Sequence, residues 1–206
     1  MPITNYFSKD PDKRAKYIFN ALAPIFSKMD FVLKSRFDSS FEVITKEINI
    51  EGKKVLDIGT GTGDWASKFL DHSAKEVYGL DFAKKMISRA KRKYPKINFS
   101  CIDAKSIKKF PDKSFDIVTA SYVLHGMNKK ARIEVLEEMK RLSKSTIIIN
   151  DFYGKTPIFL KFLETMERSD YKYFKNEIID ELNTMFNNSK SFDLGKGHGL
   201  YFSKVN

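Results

Sequence analysis

The stretch that most constrains this chain is Val55-Leu-Asp-Ile-Gly-Thr-Gly-Thr-Gly-Asp64: a short apolar run ending next to a carboxylate, then three alternate glycines, then an acid. Lys54 to Ile58 is too short for a helix, and the glycines that follow end the run as a strand and turn the chain sharply. Trp65, Ala66, Phe69 and Leu70 then recur at helical spacing, which predicts a helix from about Gly63. Strand, glycine turn and helix in that order bring the bare backbone of Gly59, Gly61 and Gly63, with Thr60 between, against a ligand, because no Cβ blocks the approach.

The motif also limits which ligand. A dinucleotide fingerprint needs G-x-G-x-x-G with its pyrophosphate on the helix N-terminus. Here the last glycine comes one residue early and Asp64 stands where the third glycine would be. A carboxylate in the first turn opposes a pyrophosphate, and Asp57 adds to the repulsion. A cationic ligand such as S-adenosylmethionine, with an ammonium and a sulfonium beside a ribose and an adenine, suits these acids better. On these residues the chain resembles the class I S-adenosylmethionine-dependent methyltransferases, whose first motif reads acid-x-Gly-x-Gly-x-Gly.

Glu76-Val-Tyr-Gly-Leu-Asp81 follows, a strand ending in a carboxylate about twenty residues past the glycines. That spacing puts Asp81 at the tip of a neighbouring parallel strand, where its oxygens suit the two ribose hydroxyls. An N-cap for the next helix, Ala83 to Tyr94, would stand one residue later. Phe82 is adjacent and suits the adenine. The resemblance further implies that Asp103 and Ala104, after Ile97 to Ile102, hold the adenine through a side-chain acceptor and a backbone N–H. Ile117 to Ser121 reads as the fourth strand, with Ser121 and Tyr122 emerging at its carboxyl end, the edge where open parallel sheets bind ligands.

The chain after that strand runs Ser121-Tyr-Val-Leu-His-Gly-Met127, without the Asn-Pro-Pro-Tyr or Asp-Pro-Pro-Tyr signature of enzymes that methylate exocyclic base amino groups. Of the three histidines, His125 stands where a reacting atom would be; it and Tyr122 are the candidate catalytic residues, with Asp151 and Tyr153 at the same edge. No metal site is expected. A helix is predicted over Lys129 to Leu142. It leads through Arg141-Leu-Ser-Lys-Ser-Thr146, where the family usually has Pro-Gly-Gly, into the β-branched strand Thr146 to Asn150.

The expected fold is α/β: a doubly wound, mostly parallel seven-stranded Rossmann-like sheet with an antiparallel C-terminal hairpin. It forms a single methyltransferase domain in four parts. Residues 1–50 make an N-terminal helical cap, with a helix at Phe41 to Ile48. Its Phe19-to-Asp30 segment, with Phe26 at the aromatic position, is similar to the entry segment of the ubiquinone/menaquinone biosynthesis methyltransferases. Residues 51–151 form the cofactor-binding core. Residues 152–190 form a helical insert over the pocket, with helices at Pro157 to Tyr171 and Asn176 to Asn187. Residues 191–206 form the hairpin, Ser191 to Leu194 and Leu200 to Val205.

Thirty-seven Lys and Arg against 26 Asp and Glu give +11, a charge that suits an anionic partner. The lysines, however, read as solvated outer faces of helices, so nucleic acid is not the favoured partner; an RNA or protein methyltransferase, or a non-catalytic module, are the alternatives. The single Cys101 excludes a disulfide framework, no apolar N-terminal segment or membrane-length run is present, and a cytoplasmic location is expected. Together these readings predict transfer of a methyl group from S-adenosylmethionine to a small planar or apolar C-, O- or N-nucleophile.

Overall fold

The structure is a computed structural model and describes residues 34–105, 107–154 and 171–205. Residues 34–47 form helix α1, and the core elements follow as β1 (Lys54–Ile58), α2 (Asp64–Asp71), β2 (Glu76–Asp81), α3 (Lys84–Lys93) and β3 (Asn98–Cys101). Then come β4 (Phe115–Ser121), a short 3-10 turn (Leu124–Gly126), α4 (Lys129–Leu142), β5 (Ser143–Phe152), α5 (Tyr171–Met185), β6 (Asn188–Asp193) and β7 (His198–Lys204). The seven strands make one sheet in the order β3-β2-β1-β4-β5-β7-β6. The first five are parallel, and β7 pairs antiparallel with both β5 and β6. This is the expected doubly wound sheet with its terminal hairpin, and the strand order reverses between β1 and β4, so the ligand crevice lies beyond those two carboxyl ends.

Both faces of the sheet are covered, which is why the central strands read as continuous apolar runs. Along β1, Leu56 and Ile58 join Val118, Ile147, Ile149 and the apolar stripes of α4 and α5 in one core cluster. Val55, Ile117 and Ile148 face the other way, into Phe37, Phe41 and Ile44 of α1, Trp65 and Phe69 of α2, and Ile87 of α3. Helix α4 starts where expected because Asn128 caps it, its side chain accepting from Ala131 N–H at 3.0 Å. No loop separates α4 from β5: Ser143 ends the helix and begins the strand, its hydroxyl donating to the Thr146 carbonyl at 3.0 Å, so the turn does without Pro-Gly-Gly.

The observed elements run longer than the expected ones at both flanks. The helix read at Phe41 to Ile48 includes residues 34–40 as well, and the one read from Asn176 is already helical at Tyr171. The hairpin strands reach Asn188–Asp193 and His198–Lys204 because register pairing extends past the apolar residues. The entry segment around Phe26, most of the N-terminal cap and the helix expected from Pro157 lie outside the described residues.

Candidate active site

The glycine turn closes on β2. Thr60 N–H donates to Leu80 O at 2.8 Å, and Gly61 N–H donates to Asp81 Oδ2 at 2.9 Å. Gly59 has φ +71 and a Cβ there would stand 2.3 Å from Val123 Cγ2, so the loop after β4 packs on its bare backbone. Gly61 has φ +54 with nothing within 4 Å of its Cβ direction. One glycine is therefore required by packing, and the other leaves open space over the turn.

Beneath the turn lies an uncompensated polar pocket. Asp57, on β1, is 1% exposed, and neither of its carboxylate oxygens nor the Thr60 hydroxyl, also buried, has a hydrogen-bond partner. Burial pushes the Asp57 carboxyl up to about 8, opposed in part by the nearby Thr60 hydroxyl and reinforced by the Asp81 charge. A buried acceptor left without a donor is costly, and the missing donor is the kind of group an ammonium provides. Asp81 is raised too, by burial, but the N–H groups of Ala83 and Gly61 oppose the shift.

Asp81 does more than sequence spacing showed. Its Oδ1 accepts from Ala83 N–H at 2.7 Å, so it also holds the chain at the start of α3, although Ala83 is the N-cap position. An ionised carboxylate offers about four lone-pair sites, so two backbone donors leave capacity for hydroxyls.

Asp64 stands differently from what the sequence implied. Its oxygens accept from Thr62 Oγ1 (2.6 Å), Lys93 Nζ (2.6 Å) and Tyr94 OH (2.7 Å), so its charge is turned aside to the end of α3 and compensated there. The electrostatic case against a pyrophosphate consequently passes to Asp81, whose carboxylate already occupies the Gly61 N–H.

Phe82 is half-buried and packs on Ala83 and Met86. Asp103 and Ala104 are half-buried after β3, with Asp103 Oδ1 accepting from Lys105 N–H at 3.1 Å. Ser121 Oγ accepts from Asn150 Nδ2 at 2.8 Å. Asp57, the glycine turn, Asp81, Phe82, Asp103, Ala104 and Ser121 are thus carried by the carboxyl ends of β1 to β4.

Beyond Ser121 lies a second polar network. Tyr122 holds φ +53, a conformation uncommon for a non-glycine residue and costly unless its surroundings enforce it. Its N–H donates to Asn150 O at 2.8 Å, and its hydroxyl accepts from Arg36 Nη1 at 3.0 Å. Burial pushes the Tyr122 phenol up to about 12, so it stays neutral at physiological pH. Its ring stacks on His198 at 5.9 Å. His198 Nε2 donates to Asn150 Oδ1 at 2.6 Å, with Ser40 Oγ 3.1 Å away, and burial, helped by the Arg36 charge, pushes His198 down to about 4. His125 Nδ1 lies 2.8 Å from Asp151 Oδ1.

His125 is therefore not alone at this edge, since antiparallel pairing of β7 puts His198 opposite Phe152. Arg36, Ser40, Asn150 and His198 were missed in the sequence. Only the direction of the last strand could have signalled His198, and nothing in the local pattern marks Arg36. Among the described residues no group of three or more His, Cys, Asp or Glu could hold a metal ion, and no helix is long and apolar enough to cross a membrane.

Residues 55–146 match the family model described as a methyltransferase domain. The chain is 30% identical over 190 residues to a demethylmenaquinone methyltransferase of Thermotoga maritima, covering 82% of each. It belongs to the class I S-adenosylmethionine-dependent methyltransferases. A demethylmenaquinone methyltransferase of Chlorobaculum parvum is 27% identical over 84% of this methyltransferase and 70% of the relative. The matches to two Geobacillus relatives of the same name span only 61% and 59% of their length. Among solved structures, the magnesium protoporphyrin IX methyltransferase of Synechocystis with bound S-adenosylmethionine superposes with a TM-score of 0.72 at 16% identity, over 97% of this chain and 99% of that one, which establishes the shared fold.

Proposed function

We propose that this methyltransferase moves the methyl group of S-adenosylmethionine to a small, planar or apolar acceptor, the work of a single domain. The observation that carries this reading is the buried, unpartnered pair Asp57 and Thr60 beneath an open glycine turn that Asp81 closes. Asp57 and Thr60 would meet the amino-acid end of the cofactor, Asp81 the ribose, Asp103 and Ala104 the adenine with Phe82 against it, and Ser121 the rim toward the acceptor. The glycines Gly59, Gly61 and Gly63 supply bare backbone, and Asp64 braces the turn from behind through Lys93 and Tyr94.

Bound there, the cofactor supplies a methyl group on a sulfonium, a leaving group activated by its own charge. The chain's part is to align the nucleophile and exclude water, worth roughly 7–11 kcal/mol of the barrier when alignment is good. Phe152 packs edge-on against both Tyr122 and His125, an aromatic cluster at the carboxyl edge of β4 and β5 that fits a flat or apolar acceptor. The demethylmenaquinone methyltransferase relatives support the same class of acceptor.

Calorimetry is expected to show S-adenosylmethionine binding far more tightly than NAD(H). Asp81→Ala removes a charged acceptor, a loss of roughly 1.5–3 kcal/mol, or tenfold or more in affinity. Tight NAD(H) binding with no response to S-adenosylmethionine, or unchanged affinity in folded Asp81→Ala, would remove the reading.

The excess positive charge is more concentrated than a scattered surface: from Phe82 to Lys109 there are ten Lys or Arg and one Asp, on α3 and in the connections before and after β3. Lys84, Lys85, Lys91, Arg92 and Lys93 are exposed on α3, which fits a solvated flank. Turnover of a small acceptor is expected to vary little with salt. An RNA substrate contacted at six to ten phosphates would instead lose roughly 10³–10⁵ in affinity between 50 and 200 mM salt. A gel-shift titration with bulk RNA tests this, and RNA binding that survives 200 mM salt and blocks turnover would overturn the small-molecule assignment.

A further inference from the structure

Arg36 is a half-buried cation at the carboxyl edge of the sheet with no anion to meet it. It stands one helical turn before Ser40, on the same face of α1. Ser40 is buried against the sheet, its hydroxyl 2.9 Å from Asn150 Oδ1 and 3.1 Å from His198 Nε2. With α1 anchored there, Arg36 Nη1 donates to Tyr122 OH at 3.0 Å and Nη2 to Lys196 O, in the turn between β6 and β7, at 3.2 Å. A guanidinium carries five N–H donors. These two bonds leave three of them unused, and neither acceptor brings a negative charge.

The acids around it are engaged elsewhere. Asp38, on the same helix, pairs with Lys68. Asp151 lies 2.8 Å from His125 Nδ1 and accepts from the N–H groups of His125 and Phe152. Asp193 accepts from Gly195 N–H at 2.8 Å. Among the described residues no carboxylate stands within ion-pair distance of Arg36, nor of Lys196, the exposed second cation of this corner. His198, whose ring stacks on Tyr122, is pushed down to about 4 by burial and then by the Arg36 charge, so at neutral pH it adds no third cation. A charge drawn partly out of water without a counter-ion is costly, and an anion carried in by a ligand removes that cost.

Tyr122 ties this corner to the aromatic cluster. Its hydroxyl meets Arg36 while its ring packs on Phe152 at 5.2 Å and faces His125 at 6.5 Å. A flat molecule against that cluster with an acid group at its rim presents the acid to the guanidinium, whose planar fork matches the two oxygens of a carboxylate. We propose that Arg36, with Lys196 beside it, is a carboxylate-binding subsite, and that the methyl acceptor is a flat acid held there by its carboxylate. The inference rests on the reading of the active site above and narrows its acceptor. An uncharged acceptor of the same outline leaves the guanidinium without its anion, so the subsite selects by charge as well as by shape.

The test compares two flat probes, 2-naphthoate and 2-naphthamide, binding to the protein saturated with S-adenosylhomocysteine. Calorimetry is expected to show the acid binding about tenfold or more tightly than the amide. Arg36→Gln should erase that preference by weakening the acid alone, with S-adenosylhomocysteine affinity unchanged. Lys196→Gln should reduce it by about two- to fivefold, the share of an exposed charge. Because Arg36→Gln also removes a tie of α1, a second readout uses the wild type: the side-chain N–H signals of Arg36 in proton–nitrogen spectra should shift with the acid and stay in place with the amide. Equal affinity for the two probes would overturn the proposal. So would a preference that persists in folded Arg36→Gln, Arg36 signals unmoved by saturating acid, or no binding of either probe to the cofactor-loaded protein. A fall in S-adenosylhomocysteine affinity in Arg36→Gln as large as the fall for the acid would assign the guanidinium to the carboxylate of the cofactor, and would also overturn it. Failure of S-adenosylhomocysteine to bind the wild type would instead overturn the cofactor reading, and this inference with it.

Discussion

Arg132→Ala is expected to destabilise the protein by about 3–5 kcal/mol, the cost of breaking a buried ion pair from one side. Arg132 lies in the first turn of α4 and has no exposed side-chain surface. Its guanidinium donates through Nε and Nη2 to the two oxygens of Glu181, both at 2.7 Å, through Nη1 to Met127 O at 3.1 Å and through Nη2 to Glu177 at 3.3 Å. Glu181, nearly as buried, would be left with an uncompensated charge. At roughly 2–4 °C per kcal/mol for a chain of this size, the melting temperature should fall by about 6–20 °C. Arg132→Met combined with Glu181→Leu should recover most of the loss, since removing both charges removes the desolvation cost as well. A melting temperature in Arg132→Ala within a degree or two of the wild type would show that the pair holds nothing together. Because Phe174 sits on α5 and presses on His125, loosening this contact should also disturb the acceptor side before the cofactor side.

The second large effect concerns Asp57, where stability and binding are opposed. Its carboxyl is raised from 3.8 to about 8 by burial. Below the unfolded value both states are protonated and there is no penalty. As pH rises from 4 to 8 the unfolded chain loses its proton first, so the ligand-free fold loses stability, up to an order-of-magnitude ceiling of about 6 kcal/mol above pH 8. Asp57→Asn abolishes that slope, and the melting temperature of the variant should gain on the wild type progressively across that range. His198 acts in the opposite sense, since a base lowered to about 4 costs stability as pH falls below 6.5, but it is common to both proteins and cancels in the comparison. The same substitution should weaken S-adenosylmethionine binding. In the wild type at pH 7, that binding should release a proton, seen as a binding enthalpy that depends on the ionisation heat of the buffer. Parallel pH–stability curves for the two proteins, or a buffer-independent enthalpy, would rule out a raised Asp57 as the group that meets the ligand.

The central sheet was legible because its signals are local. Lys54–Ile58 and Glu76–Asp81 are bounded by glycine, acid and polar residues, and Lys129–Leu142 begins at a capping asparagine and keeps its helical stripe to the end. The glycine turn and the acids at the ends of β1 and β2 were legible for the same reason, since the second acid falls about twenty residues past the glycines. What was not legible depends on contacts remote in sequence. Asp64 looked like part of the ligand wall until Lys93 and Tyr94, at the far end of α3, drew it away. Arg36 reaches Tyr122 across 86 positions, and Ser40 reaches His198 across 158. No periodicity or motif records such pairs. The hairpin was placed but drawn too short, because Asn188 to Lys190 are polar and owe their strand state to pairing with β7.

That hairpin has a consequence for how the chain is made. Strand β7 lies inside the sheet, between β5 and β6, although it follows both of them in the chain. On the ribosome, β1 to β5 can pair as soon as they emerge. The outer edge of β5 then carries Ile147, Ile148 and Ile149 with its backbone donors and acceptors unmatched until residues 198–204 arrive. At about 5–20 residues per second, the interval between β5 and β7 lasts several seconds. During it the nascent sheet presents a long, β-branched, unpaired edge, the kind of surface that invites pairing with another chain. The interval before β7 closes the sheet is therefore when a growing chain of this fold is most exposed to aggregation.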